Sequence, residues 1–86
     1  MNCTHIKMIE ISEPTGNIEC QDCVQSGDTW VHLRMCMTCG YIGCCDSSKN
    51  KHAGKHSLKN NHPIIRSIET GETWQYCYVH KEMINQ

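Results

Sequence analysis

Eight cysteines and six histidines in 86 residues form a dense set of metal-ligating groups. Thiolate sulfur and imidazole nitrogen are the donors of structural zinc, which takes four of them in a tetrahedron. Cysteines alone would suggest disulfides; cysteines with this many histidines suggest metal. Two Cys-x-x-Cys pairs stand out, Cys20/Cys23 in CQDC and Cys36/Cys39 in CMTC. A turn of that length places two sulfurs about 2.3 Å from one ion. Cys77/His80 has the same spacing, and Cys3/His5 can bite one ion if the chain kinks between them. These two terminal pairs are expected to close on each other, because chain ends commonly lie together in small domains. Each knuckle then needs two partners, and Cys44, His52, His56 and His62 are available. His52 and His56 are four apart and share a helix face, yet two neighbouring ions could each take one.

Cys44 and Cys45 are adjacent, and the short link between them points their side chains apart. A count of ligands gives Cys44 to the metal and leaves Cys45 as a spare thiol. With three full sites, His32 is also left over, as a residue of a strand surface.

The elements that must position these groups are short. The segment 6–11, IKMIEI, reads as a strand rich in β-branched residues. SEPTGN (12–17) is a loop. WVHLRM (30–35) alternates as a strand, with Val31, Leu33 and Met35 on one face and Trp30, His32 and Arg34 on the other. The Gly after the second knuckle, Gly40, suits a turn with positive φ. Residues 47–61 read as a helix opened by a serine and ended by the Asn-Asn-His-Pro run at 60–63, with Gly54 a weak point inside it. PIIRSI (63–68) and TWQYCYV (73–79) read as strands joined by the turn ETGE (69–72). The expected fold is α+β: one small zinc-stapled domain over 1–86, a twisted antiparallel sheet with one main helix.

Bulk properties agree. A core of this size supplies no more than about 3–5 kcal/mol, so such domains need staples. The N-terminal MNCTHIKMIEIS has no apolar run of the length of a leader peptide. No stretch approaches a membrane span. The expected compartment is the reducing cytoplasm, where disulfides are rare. A formal charge of −1 and a pI near 6.6 disfavour a nucleic-acid module, despite Lys49, Lys51, Lys55 and Lys59 on the helix.

The motifs CTH, CQDC, MCMTCGYIGCCDSS, NKHAGKH, HPIIRS and WQYCYVH resemble the UBP-type zinc finger of ubiquitin-specific proteases and of a ubiquitin-binding histone deacetylase. The resemblance runs from Cys3 to His80, and is nearest to the stand-alone bacterial version marked by WVHLR and GCCDSS. It implies three Zn²⁺ ions at interleaved sites. The first would be held by Cys3, His5, Cys77 and His80, the second by Cys20, Cys23, Cys44 and His52, and the third by Cys36, Cys39, His56 and His62. His80 stands where the family often has Cys.

The same resemblance implies a protein-binding role. Eukaryotic members hold the free Gly-Gly tail of ubiquitin between aromatic walls, with an Arg on its carboxylate. Trp74 and Tyr76 match the aromatic positions. The Arg does not carry over: Cys45-Asp46 stands where those members have Gly-Arg. An Asp repels a carboxylate, so ubiquitin-tail binding by the usual mode is not expected, with Arg34 or Arg66 the cations left to compensate. An unknown protein or peptide segment is the expected partner, read by Trp74 and Tyr76 beside Asp46 and Arg66. The alternative is a zinc-thiolate redox or metal-responsive element, with Cys45 as its free thiol. A thiol dyad of Cys45 with His52 or His32 has no third orienting group, which argues against an enzyme.

Overall fold

The computed structural model of the protein describes residues 4–14 and 16–84. Five short strands form one antiparallel sheet in the order β2-β1-β3-β4-β5: β1 (Leu33–Cys36), β2 (Ile42–Cys44), β3 (Ile64–Ser67), β4 (Gln75–Cys77) and β5 (Glu82–Ile84). Two α-helices join them, α1 (Gln21–Ser26) and α2 (His52–Asn60), with a 3-10 helix over Thr4–Met8. The fold is α+β, as expected.

Alternation along the strands gives the sheet two different faces. On one, Leu33, Met35, Ile42, Cys44, Ile64, Cys77 and Ile84 form the core, over which Ile9, Ile11 and Trp30 pack. Met35 and Ile64 are fully buried. Such a side chain contributes about 1.5–3 kcal/mol. On the other face, Gly43 of β2 lies against α2. A Cβ on Gly43 would sit 2.7 Å from the Ala53 amide nitrogen, so only glycine lets the helix approach this closely. That contact brings Cys44 beside His52 at the helix start.

Several elements depart from expectation. Residues 6–11 are not a strand. The 3-10 turn ends at Met8, and the chain beyond it joins no ladder of the sheet, although the Glu10 and Ile11 amides both donate to the Met37 carbonyl (2.8 and 2.9 Å). Ile9 and Ile11 serve packing, not pairing. The strand expected over 30–35 begins only at Leu33; Val31 is exposed, while Trp30, expected on the opposite face from Leu33, packs on the core. Helix α2 starts at His52, not at 47. Side chains in the preceding loop tie it elsewhere: Ser48 Oγ accepts the Val31 amide (2.9 Å) and Asn50 donates to Asp28 (3.0 Å). Lys51 then enters the helix with φ 51°. The helix ends at Asn61 in the left-handed region, as the Asn-Asn-His-Pro run suggests.

Candidate metal centres and an adjoining groove

Each Cys-x-x-Cys pair is held by its own turn. The Val24 amide donates to Cys20 O (3.0 Å), closing the first turn of α1 and setting Cys20 and Cys23 side by side. The second pair caps the β1–β2 connection. Gly40, at φ 85°, donates to Cys36 O (2.8 Å), and its bare α-carbon faces Ile11, whose Cδ1 would be 3.2 Å from a Cβ.

These turns feed three clusters. Cys20, Cys23, Cys44 and His52 form one, Cys36, Cys39, His56 and His62 a second, and His5, Cys77 and His80 a third. Within each, the donor atoms all lie within 4.8 Å of one another. The fourth residue expected in the third group, Cys3, lies outside the described residues. His52 and His56, on one face of α2, turn to different clusters.

The distances fit a tetrahedral zinc ion. Bond lengths near 2.3 Å to sulfur and 2.0–2.1 Å to nitrogen imply S···S edges of ~3.8 Å and S···N edges of ~3.6 Å. In the first cluster Cys23 Sγ and Cys44 Sγ are 3.8 Å apart, and His52 Nδ1 lies 3.2, 3.4 and 3.5 Å from Cys20, Cys23 and Cys44. In the second, Cys36 Sγ is 3.5 Å from His62 Nδ1 and Cys39 Sγ 3.3 Å from His56 Nε2. In the third, Cys77 Sγ is 3.6 Å from His5 Nδ1 and 3.7 Å from His80 Nδ1. The described cysteines are all free thiols.

The surroundings suit thiolates that a cation would hold. The His52 amide donates to Cys44 Sγ (3.2 Å), the His80 amide points at Cys77 Sγ (3.5 Å), and the Asn50 amide lies 3.8 Å from Cys23 Sγ. Burial pushes the Cys20 thiol up to about 12, and raises Cys36 as well. Without a dication these thiols therefore stay protonated. Burial and the nearby His62 lower the pKa of His56, which favours the neutral, ligating imidazole. Tyr41 stacks on the His56 ring at 4.2 Å and donates its hydroxyl to Asp22, fixing the ring between α1 and α2.

Cys45 is apart from all three clusters. It is 4% exposed, with Sγ 3.5 Å from the Ser48 hydroxyl. Burial alone would raise its pKa, but bonds from Ser48 and the backbone, with the Arg34 charge, bring it below the ordinary thiol value. His32 is exposed and joins no cluster; its carbonyl accepts the Cys45 amide (3.0 Å).

Beside α2, on the face away from the core, lies a groove of about 360 Å³. Arg34, Ile65, Tyr76 and Met83 rise from the sheet, Trp74 and Tyr78 flank β4, and Cys45, Asp46 and Ser47 form the rim towards the helix. The Arg34 guanidinium stacks over Trp74, 4.5 Å from the ring centroid, and Nη1 donates to Leu33 O (2.9 Å) and Ser67 Oγ (3.4 Å). Tyr76 and Tyr78 meet edge to face at 5.3 Å. Tyr78 donates to Asp46 (3.3 Å); burial, then that carboxylate, raises its pKa and keeps it a phenol. Ser67, fully buried behind Arg34, donates to Glu72 (2.5 Å). That bond, then the Arg34 cation, holds Glu72 below the usual carboxylate range.

Trp74, Tyr76 and Asp46 thus come together. Arg66 does not join them. In β3 it points the opposite way from Ile65, and its guanidinium donates to Ser12 O (2.7 Å) and pairs with Glu13 (3.3 Å). The groove's cation is Arg34. The alternation of WVHLRM places Arg34 opposite Leu33 and Met35, a signal that it leaves the core face. Tyr78, two residues beyond Tyr76, carries the same period-2 signal.

An antiparallel five-stranded sheet with interleaved Cys/His clusters defines a small metal-stapled module. Residues 20–86 match the family model described as Zn-finger in ubiquitin-hydrolases and other protein, and the chain belongs to this family of UBP-type zinc fingers. It is 29% identical over 82 residues to the RING finger protein ETP1 homolog of Schizosaccharomyces pombe. The match covers 92% of this chain but 14% of that protein, so the chain spans a small part of its relative's length. The solution NMR structure of protein RPA1320 from Rhodopseudomonas palustris superposes with a TM-score of 0.85 at 42% identity, over 99% of this chain and 82% of that one. Among the described residues, no helix is long and apolar enough to cross a membrane.

Proposed function

We propose that the chain is a single zinc-stapled module that binds an extended segment of a partner protein in the groove beside α2. In this reading three Zn²⁺ ions occupy the three clusters, with Cys3 completing the group of His5, Cys77 and His80. The ions hold the fold. Four protein donors leave no open position for water or substrate, so the sites are structural and not catalytic. The observation that carries the binding role is the groove itself, where Trp74, Tyr76 and Tyr78 present aromatic faces around an apolar floor of Ile65 and Met83. Rigid aromatic anchors are the usual centres of binding energy at such sites.

A ubiquitin tail held by its carboxylate is not the ligand we propose. Asp46 would face that carboxylate, and Arg34 already gives two of its donor contacts to Leu33 and Ser67. The redox alternative has less support, since Cys45 is buried against Ser48. A module held by zinc thiolates and not by disulfides suits a reducing compartment such as the cytoplasm.

Titration of the zinc-loaded protein with peptides ending in Gly-Gly, free or amidated, tests the mode. The expected result is no dependence on the free carboxylate. Saturable binding that amidation abolishes would contradict it. Trp74→Ala should remove partner capture from a lysate while zinc content stays full; capture unchanged by that substitution would sink the groove as the site.

A further inference from the structure

The groove holds one charge of each sign, and the two differ in how far the chain itself satisfies them. Arg34 is engaged from three sides: its guanidinium covers the Trp74 ring, and Nη1 reaches Leu33 O and Ser67 Oγ. Ser67 in turn carries the Glu72 carboxylate at 2.5 Å, which sets an anion behind the cation. Asp46 has no cationic side-chain partner among the described residues, although its Oδ1 lies against Gly54 in the first turn of α2. It is exposed on the rim, and among the described residues its one side-chain partner is the neutral Tyr78 hydroxyl at 3.3 Å. The ion pairs among those residues are Lys49–Asp28 and Arg66–Glu13, and neither involves Asp46. The unspent charge of the groove is therefore negative. It stands beside Tyr76 and Tyr78, whose ring faces attract cations.

Resting on the reading of this groove as a peptide site, we propose that the bound segment presents a lysine or arginine side chain to it. The aliphatic stem would lie along Ile65 and Met83, as long basic side chains do on apolar surface. The cationic head would sit by the tyrosine faces with Asp46 opposite. Arg34, stacked on Trp74, holds that wall in place. Asp46 is then a specificity-determining residue.

The test is an NMR titration of the isotope-labelled, zinc-loaded protein with three capped peptides, acetyl-Leu-Xaa-Leu-amide. Xaa is lysine, norleucine or glutamate, and the caps remove terminal charges. The expected result is saturable shifts at 45–47 and 74–78, with lysine on the order of fivefold tighter than norleucine and glutamate weakest. Asp46→Asn, which keeps an acceptor for Tyr78, should bring lysine down to norleucine while norleucine stays where it was. In the wild-type protein, raised salt should narrow the gap between lysine and norleucine, because exposed charges are screened; this arm stands even if the variant folds poorly. Equal binding of lysine and norleucine, tighter binding of glutamate, or a lysine preference that Asp46→Asn leaves intact would overturn the inference and leave the peptide-binding reading standing. No saturable shift at the groove from any peptide would overturn both.

Discussion

Gly43→Ala tests how α2 and β2 together build the first cluster. The added Cβ would lie 2.7 Å from the Ala53 nitrogen, 2.8 Å from Tyr41 Cε2 and 3.0 Å from Ala53 Cα. Tyr41 could swing; the helix backbone cannot give without moving the whole element. Reaching an ordinary 3.4 Å contact requires α2 and β2 to part by about 0.7 Å. Overpacking of that kind costs about 1–3 kcal/mol. In a domain of this length it lowers Tm by about 5–20 °C. The separation also pulls His52 from Cys44, which now lie 3.5 Å apart, so zinc should leave this cluster faster. Gly16→Ala is the matched control, since a Cβ there meets nothing within 4 Å. The assay is thermal unfolding by circular dichroism at fixed free zinc, with zinc release to a chromogenic chelator followed in parallel. Free zinc must be held constant because binding to the folded state shifts Tm by mass action. A Gly43→Ala protein with the Tm and release rate of Gly16→Ala would refute the close-approach argument.

Two further outcomes follow from the clusters. Cys44→Ser should lower the zinc count by one ion, while Cys45→Ser leaves it unchanged; equal losses on metal analysis would mean that the adjacent thiols exchange roles. Zinc affinity should rise with pH. Without metal, burial holds the Cys20 thiol protonated up to about 12, against an ordinary 9.0, so binding at neutral pH must displace that proton. Competition with a chelator at about pH 6 and about pH 8 should show tighter binding at the higher pH, and equal affinities would contradict the thiolate assignment.

Spacing carried the clusters further than it carried the elements. Cys-x-x-Cys is a local pattern whose geometry is set within one turn, so Cys20/Cys23 and Cys36/Cys39 are legible at once. Which histidine joins which pair is not local. His52 and His56 share a helix face yet separate, because Gly43 docks the helix so that its first turn faces Cys44 and its second faces Cys39. Strands β2 and β5 have three residues each, too short for any periodic signal, and Gly43 disguises the first. IKMIEI misleads because β-branched residues suit both a paired strand and a packed irregular segment. The helix start misleads for a related reason: Ser47 and Ser48 look like caps, but Ser48 bonds Val31, across the fold. In the groove, the aromatic positions follow from strand alternation. The choice between Arg34 and Arg66 needed the register, which pairs Arg34 with Ser67 and Met35 with Arg66 and so puts the two guanidiniums on opposite faces.

Three zinc ions, one in each cluster, would hold the fold together. Elemental analysis by inductively coupled plasma mass spectrometry, on the 86-residue chain purified without added zinc and normalised to amino-acid content, measures this directly. The expected result is about three zinc ions per chain. A count near one would contradict it.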